Sequence, residues 1–206
     1  MTPPYRIVTE RLVLRCWEPR DAPLLKEAVD SSIDHLLPWM PWAVHEPQSL
    51  EEKVALLRQF RGKFDLGQDF TYGIFSPDET QALGGTGLHT RIGDDALEIG
   101  YWIRASRAGE GLGTESTAAL TRVAFEFTEV DRVEIHCEPE NERSLRIPRK
   151  LGYAEEARLR RRLYPAGGEP RDVVVFSLFR DTYGGTPAAS AELEAFDAVG
   201  ARVLPT

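Results

Sequence analysis

The 206-residue sequence predicts a mixed α/β fold, with helices packed on a single sheet. Short segments alternate apolar and polar residues with a period of two, whereas longer segments repeat apolar residues every three to four positions. The segments follow the order β-α-α-β-β-β-α-β-α-β-β. Consecutive strands form an antiparallel meander and the later strand–helix–strand unit needs a crossover, so parallel and antiparallel pairs are both expected.

The amino-terminal half is predicted to contain a strand, two helices and the meander. Residues 9–17 alternate apolar and charged side chains, which indicates a strand, and a helix is predicted from residue 19 to about 34. A loop rich in Pro and Trp (residues 36–42) precedes a second helix, which begins near Ser49. The meander strands are predicted at residues 70–75, 82–90 and 97–103.

The carboxyl-terminal half is predicted to contain a helix, a strand, a second helix and two strands. In the first helix Leu120, Val123 and Phe127 recur at helical spacing and form a core-facing stripe. Gly152 is a typical end signal for the second helix. The later elements are predicted at residues 133–137, 141–151, 154–163 and 172–178, with a turn at 165–168.

The composition changes near the carboxyl terminus, where Gly, Pro, Ala and Ser become frequent. We therefore expect a single domain over residues 1–183 and a peripheral tail over residues 184–206. Within this tail, residues 191–199 can form a short helix.

Charge and composition restrict the partners. The net charge of −8 argues against nucleic acid, although the basic run at residues 158–162 can be either a solvated face or a binding patch. No apolar run is long enough to span a membrane and no signal peptide is evident, so we expect a cytoplasmic protein without a membrane partner. The two cysteines and four histidines lack metal-site spacing, so no metal is expected. Monomer and homodimer both remain open.

The most informative segment is a Gly-rich turn between the strand at 98–103 and the following helix. Gly109, Gly111 and Gly113 allow the backbone to turn tightly and to approach a ligand closely. The first N–H groups of a helix have no internal partners and carry partial positive charge, so the segment suits a phosphate. A plain turn before a helix is the alternative.

Two common nucleotide motifs do not fit this segment. A P-loop requires Lys and then Ser or Thr after its last glycine, whereas Gly113 is followed by Thr114 and Glu115. A dinucleotide-binding fold places its glycines after the first strand, whereas these lie in the middle of the chain, after the meander.

The order of several motifs resembles the GNAT superfamily of N-acyltransferases. The resemblance covers roughly residues 7–181 and includes the strand–loop–helix at 98–120 and the segments at 134–137 and 141–153. The opening segment at 9–15, with Pro19 to Asp21, is similar to the RimJ/RimL branch, which acetylates N-termini of ribosomal proteins.

This resemblance implies a GNAT-like acyl-CoA N-acyltransferase fold and acetyl-CoA as co-substrate, without a metal. The pyrophosphate would lie on the loop, and the pantetheine arm in a splay between the strands at 98–103 and 133–138, as an added strand. The implied cofactor-binding residues are Trp102, Ile103, Arg104, Arg107, Gly109, Glu110, Gly111, Leu112, Gly113, Thr114, Asn141 and Ser144. Asn141 is equally suited to be a helix N-cap.

Two positions depart from the family pattern. Ala108 stands where the loop usually has Gln or Arg, which we expect to weaken CoA binding without abolishing it. Pro148 stands where many relatives have the Tyr that serves as general acid. Because proline lacks an N–H and clashes with the carbonyl four residues earlier, we expect a kink that partly frees Ser144 from helix geometry.

The catalytic assignments are hypotheses. A backbone N–H near Ile103 can stabilise the oxyanion, and Ser144, Tyr153 or solvent can protonate the leaving thiolate, with Ser144 preferred. The sequence does not assign a general base: Glu98 is a catalytic candidate because it can line the site from its strand, although a solvated strand face is the favoured interpretation of this residue. Asp69 and His89 are weaker candidates for the base, and Cys137 is either a buried hydrophobe or a neighbour of the CoA sulfur.

The acceptor is expected to be a primary amine. Trp39 and Trp42 of the Pro/Trp loop are predicted to form a wall of its pocket, with packing over the core as the alternative. A protein or peptide N-terminus is the first choice of acceptor. The alternatives are a small-molecule amine, such as an antibiotic or metabolite, and a non-catalytic CoA-binding module.

Overall fold

The computed structural model describes residues 2–164 and 168–203 and confirms a mixed α/β fold on one sheet. The strands are β1 (Arg6–Val8), β2 (Val13–Cys16), β3 (Phe70–Phe75), β4 (Ala82–His89), β5 (Ala96–Ile103), β6 (Arg132–Cys137), β7 (Ala154–Leu163), β8 (Arg171–Phe179), β9 (Glu194–Phe196) and β10 (Arg202–Val203). The helices are α1 (Ala22–Asp30), α2 (Ile33–Leu36), α3 (Leu50–Asp65), α4 (Leu112–Phe127), α5 (Glu142–Leu151) and α6 (Arg180–Tyr183).

The sheet has the strand order β10-β9-β1-β2-β3-β4-β5-β6-β8-β7, and β5 and β6 are its parallel pair among the described strands. The α4 crossover joins these two strands. Apolar residues of α4 and α5 pack on one face of the sheet, whereas residues of α1 and α3 pack on the other. The sheet is therefore covered on both faces near its centre.

Two predictions for the amino-terminal segment are wrong in detail. Of the predicted strand at 9–17, residues 13–16 form β2, whereas Thr9 begins the turn from β1: its N–H donates to the Leu12 carbonyl at 2.9 Å and its hydroxyl oxygen accepts from the Leu12 N–H at 3.2 Å. The predicted first helix divides into α1 and α2 at Ser31 and Ser32. The second helix begins as expected, with a capping box formed by Ser49 and Glu52.

The segment after Gly184 continues the sheet. The predicted helix at 191–199 is wrong, since Glu194–Phe196 forms β9 and pairs with β1, with Ala195 opposite Ile7. Ala195 is buried, and β1 would otherwise be a short exposed edge. Residues 165–167 of the predicted turn lie outside the described residues. Within the described part of the chain, no helix is long and apolar enough to cross a membrane.

Candidate active site

The parallel strands β5 and β6 separate soon after they begin. Their register runs from Ala96 opposite Arg132 to Glu98 opposite Glu134, but β5 continues to Ile103 and β6 to Cys137. The gap opens toward the carboxyl ends of both strands, where the Gly-rich loop begins. We call this gap the splay, and it lies where the sequence predicted it.

One edge of β5 remains open along the splay. The Arg104 N–H donates to the Leu83 carbonyl of β4 at 2.8 Å, and the Gly100 carbonyl accepts from the Thr86 hydroxyl of β4 at 2.9 Å. Because backbone groups alternate sides along a strand, those of Gly100 and Trp102 face β4, whereas those of Tyr101 and Ile103 face the splay. A ligand that pairs with this edge as an added strand is therefore expected to contact the backbone of Tyr101 and Ile103 rather than that of Trp102.

The cofactor contact expected at Arg104 stays a prediction, and the groups of this residue have partners within the protein. Its guanidinium is buried and forms two hydrogen bonds to the Glu27 carboxylate of α1, at 2.8 and 2.6 Å. Its N–H donates to the Leu83 carbonyl, and its own carbonyl accepts from the Arg107 N–H at 3.1 Å. Arg104 thus joins the end of β5 to α1.

The Gly-rich loop has the backbone that the sequence indicated. Gly109 and Gly111 adopt φ values of 88° and 84°, which residues with a Cβ rarely tolerate. Gly111 is the N-cap of α4, and the first helical bond runs from the Glu115 N–H to its carbonyl. The N–H groups of Leu112, Gly113 and Thr114 therefore lack helical acceptors and are suited to bind an anion.

Two arginines accompany this anion site. The predicted Arg107 forms an exposed ion pair with Glu110 at 2.8 Å. Arg11, which sequence reasoning missed, donates to the Glu110 carbonyl at 2.9 Å and pairs with Glu115 at 2.6 Å. Arg11 lies in the β1–β2 hairpin, inside the opening segment that resembles the family, so that motif was its only sequence signal.

Tyr101, Cys137 and Ser144 meet on the α5 side of the splay. The Ser144 hydroxyl lies 3.0 Å from the Tyr101 hydroxyl and 3.2 Å from the Cys137 sulfur. Burial raises the pKa of Tyr101 well above its usual value and raises the pKa of Cys137 to about 11. Both groups are therefore neutral and protonated at neutral pH.

Pro148 lies inside α5, which continues through it to Leu151. The missing proline N–H leaves the Ser144 carbonyl without its helical donor, and the Tyr101 hydroxyl lies 3.2 Å from that carbonyl. Position 148 lacks the tyrosine of the family pattern, but Tyr101 of β5 places a phenol hydroxyl next to Ser144. Sequence reasoning missed Tyr101 because the contact spans 43 residues of chain.

Two other predicted residues have local partners. The Asn141 side chain is the N-cap of α5 and accepts from the Ser144 N–H at 3.1 Å, in agreement with the N-cap alternative. The Tyr153 hydroxyl is buried in the core, 2.6 Å from the Thr121 hydroxyl of α4. Its hydrogen bond within the core makes Tyr153 a poor candidate for the general acid.

On the opposite face of the sheet, Gly87 of β4 and Gly100 of β5 are directly opposed and form a floor with no side chains of its own. His89 of β4 lies over this floor, since its Nε2 would be 2.7 Å from a Cβ built at Gly87 and 3.4 Å from one built at Gly100. We call this surface the glycine floor.

Glu98 lies at the end of the glycine floor, but its carboxylate is bound by Arg91 through two hydrogen bonds of 2.7 and 2.5 Å. Burial raises the pKa of Glu98, yet the hydrogen bonds and charge of Arg91 outweigh it and leave the pKa below its usual value. On β6, His136 Nε2 lies 2.6 Å from Glu134 and His136 Nδ1 lies 3.9 Å from Glu98. Glu98 is therefore a weak base in this setting.

The Pro/Trp loop packs on the Trp102 end of the same sheet face. The ring of Trp42 meets the ring of Trp102 edge-on at 5.9 Å, and the Trp102 ring covers Gly85 of β4. The Arg171 guanidinium of β8 donates to the Pro38 carbonyl at 2.6 Å and also binds Glu138. Trp42 thus packs on Trp102, which lies two residues beyond Gly100 on β5, while Trp39 lies in the same loop and is half-buried.

Within residues 2–164 and 168–203, no three His, Cys, Asp or Glu side chains are grouped as a metal site. The chemistry available is that of hydroxyls, one imidazole over the glycine floor, and open backbone N–H groups. Such a set suits proton transfer and stabilisation of an oxyanion.

Comparison with known proteins agrees with this geometry. The family model for the acetyltransferase (GNAT) domain matches residues 11–154. The chain is 28% identical to YdaF of Bacillus subtilis over 180 residues, which cover 86% of this chain and 96% of that protein. It is 27% identical to the ribosomal protein uS5-alanine N-acetyltransferase of Escherichia coli, with coverage of 75% and 80%.

The fold is shared with a solved structure. RimJ of Mycobacterium smegmatis, in complex with CoA-disulfide, aligns with a TM-score of 0.81 at 24% identity and covers 92% of this chain and 95% of its own. The chain therefore belongs to the acetyltransferase (GNAT) domain family and is an acetyl-CoA-dependent N-acetyltransferase.

Proposed function

We propose that the chain acetylates the α-amino group of a protein or peptide N-terminus, with acetyl-CoA in the splay and the acceptor on the glycine floor. The observation that carries this proposal is that the open edge of β5 separates two distinct surfaces. One holds the anion site and the Ser144 hydroxyl, and the other carries the opposed Gly87 and Gly100 with the His89 ring over them. The backbone of an extended peptide end can approach closely beside this ring, because the two glycines have no Cβ.

In this proposal the α4 N-terminus and the Gly-rich loop hold the pyrophosphate, with Arg11 and Arg107 nearby. The N–H groups of Tyr101 and Ile103 face the pantetheine arm and the developing negative charge. Bound acetyl-CoA supplies an activated thioester. The Ser144 and Tyr101 hydroxyls supply a proton to the departing sulfur.

Two observations support the proposed class of acceptor: the name of a relative and the negative charge beside the glycine floor. The Escherichia coli relative is named as an N-acetyltransferase that acts on an alanine of ribosomal protein uS5. Carboxylates of Asp69 and Glu98 border the glycine floor, and both keep pKa values below their usual range, so an incoming ammonium meets negative charge. In each case burial opposes that lowering.

The test is an acetylation assay with matched acceptors. We expect turnover with peptides that carry a free Ala or Ser N-terminus and none with the same peptides blocked at the N-terminus but containing an internal lysine. A parallel panel of polyamines and aminoglycosides tests the small-molecule alternative. Faster turnover of a panel member than of every free peptide would reject the N-terminal assignment.

A further inference from the structure

Asp69 and His89 form a pair beside the glycine floor, and this pair has no part in the proposed protonation of the leaving thiolate. His89 Nδ1 lies 2.9 Å from Asp69 Oδ1, and Asp69 Oδ2 accepts from the Thr71 hydroxyl at 3.2 Å. Burial raises the pKa of Asp69, but the hydrogen bonds from His89 and Thr71 lower it, and the pKa lies below its usual value. Asp69 therefore remains ionised at neutral pH.

An ionised carboxylate determines which ring nitrogen carries the proton. A carboxylate only accepts hydrogen bonds, so Nδ1 of neutral His89 holds the hydrogen and Nε2 keeps its lone pair. Among the described residues, no side chain or backbone group forms a hydrogen bond with Nε2. The ring is thus oriented with its basic nitrogen open.

The open nitrogen lies above the place where acceptor and donor would meet. Nε2 is 3.4 Å from the position of a Cβ at Gly100, which is two residues beyond the last β5–β6 pair at Glu98. The splay opens at this part of β5. An amine on the glycine floor would therefore lie beside His89 on one side and the splay on the other.

We propose that His89 is the general base for the acceptor ammonium and that Asp69 is its positioning residue. This inference rests on the proposed function, because it needs an amine on the glycine floor. One ammonium proton passes to Nε2, and the nitrogen lone pair then forms the new C–N bond. The C–S bond breaks with its electron pair on sulfur, which takes up the nitrogen's second proton through Ser144 and Tyr101. Nε2 returns its proton to solvent.

His136 is less suited to this role, although it lies on the same face. Its Nε2 is bound to Glu134 and its Nδ1 faces Glu98, so both nitrogens are directed at carboxylates. It therefore provides a matched control. His89 interacts electrostatically with Asp69 and Glu98, and these two carboxylates interact in turn with Lys63, Arg91 and His136.

The kinetic test uses the full-length chain and His89→Gln. We expect kcat/KM to fall about 100-fold at pH 7, within the range for loss of a general base. The loss should shrink toward pH 9, because an α-amino group has a pKa of about 8 and deprotonates in solution. His136→Gln should keep the wild-type pH profile. A pH-independent loss in His89→Gln, or an equal loss in His136→Gln, would overturn the proposal.

A second measurement needs no acceptor and separates failure of this pair from failure of the proposed function. Nitrogen NMR of the histidine rings should show His89 protonated at Nδ1 in the wild type. In Asp69→Asn the side-chain amide can donate to Nδ1, so the proton should move to Nε2 and kcat should fall. Protonation at Nε2 in the wild type would reject the pair even if peptides are acetylated. Correct protonation without peptide turnover would reject only the N-terminal acceptor, and the His89→Gln profile would then be measured with the panel amine that is acetylated.

Discussion

Three side chains from three different elements meet at the α5 side of the splay. Tyr101 comes from β5, Cys137 from β6 and Ser144 from α5, and the serine hydroxyl contacts the other two. Burial keeps the phenol and the thiol protonated, so the cluster can donate a proton but offers no thiolate nucleophile. Its chemistry is therefore that of an acid for the leaving group.

Replacing the hydroxyls of this cluster should slow the reaction without weakening the binding of acetyl-CoA. We expect Ser144→Ala and Tyr101→Phe each to lower kcat about tenfold, because an acid assists a leaving thiolate but is not essential. Tyr101→Phe should also lower Tm, since the Ser144 carbonyl loses its donor. Full kcat across pH in Ser144→Ala would remove the serine from the mechanism.

Glu98→Gln tests the carboxylate that the sequence offered as a candidate base. We expect kcat/KM within about threefold of wild type between pH 7 and 9, because Arg91 makes the carboxylate a weak base. Stability should respond at lower pH instead. A folded-state pKa below the unfolded value of about 4.3 stabilises the fold above that pH, and the contribution is lost as pH falls through the folded value. Between pH 6 and pH 3, the Tm should therefore fall more steeply for the wild type than for Glu98→Gln. Equal slopes of Tm against pH would contradict a lowered pKa of Glu98 in the folded state.

At the scale of elements, two sets of glycines lie at the two proposed binding surfaces. Gly87 and Gly100 lie on β4 and β5, where we propose that the acceptor binds, and Gly109 and Gly111 lie in the loop before α4, where we propose that the pyrophosphate binds. A Cβ at Gly87 would lie 2.7 Å from the His89 ring, whereas one at Gly109 would meet nothing within 4 Å. Gly109 is instead required for its positive φ. Glycine is thus required for a different physical reason at each place: Gly87 leaves space for the His89 ring, and Gly109 adopts a positive φ.

Alanine at each position should separate the two surfaces. Gly87→Ala must displace the His89 ring, so we expect kcat/KM for the acceptor to fall about tenfold with unchanged acetyl-CoA affinity. Gly109→Ala costs about 1–3 kcal/mol of backbone strain and should weaken acetyl-CoA binding. Steady-state kinetics measure kcat/KM for the acceptor, and calorimetric titration measures the affinity for acetyl-CoA. Equal effects of the two variants on both quantities would contradict separate acceptor and acetyl-CoA surfaces.

Arg171 fixes the Pro/Trp loop to the sheet, because its guanidinium contacts both Pro38 and Glu138. We expect Trp42→Ala to raise KM for the acceptor several-fold, because Trp42 packs on Trp102, which lies on the same strand and face as Gly100. Trp39→Ala is also expected to raise this KM, and acetyl-CoA affinity should remain unchanged in both. A large fall in Tm without a change in KM would instead assign the tryptophans to packing.

For the whole molecule, the carboxyl-terminal segment completes one edge of the sheet. β9 pairs with β1, Ala188 and Ala195 are buried, and the Arg122 guanidinium donates to the Ala191 carbonyl at 2.7 Å. β9 lies at the opposite end of the sheet from β6 and the splay, whereas Ala188 lies in a short turn (Pro187–Ser190) that packs against α4 and α5. The segment therefore stabilises both the edge of the sheet and the packing of these two helices.

Truncation after Gly184 should lower Tm while leaving acetyl-CoA binding intact. Loss of β9 exposes the edge of β1, and each kcal/mol lost lowers Tm by about 2–4 °C in a domain of this size. Truncation after Asp197 removes only β10 and should have a smaller effect. An unchanged Tm after the longer truncation would return these residues to the peripheral tail that their composition suggests.

Local patterns in the sequence determined most elements and the anion site. Periodicity identified the meander, α4 and α5, and the glycines before α4 indicated the phosphate-binding turn, because each signal lies within a few consecutive residues. The tertiary structure alone decided which distant side chains meet. Tyr101 reaches Ser144, His89 is oriented by Asp69 over Gly100, Arg104 is drawn to Glu27, and β9 pairs with β1. These pairings depend on strand register and helix packing, which bring together residues that no local spacing relates.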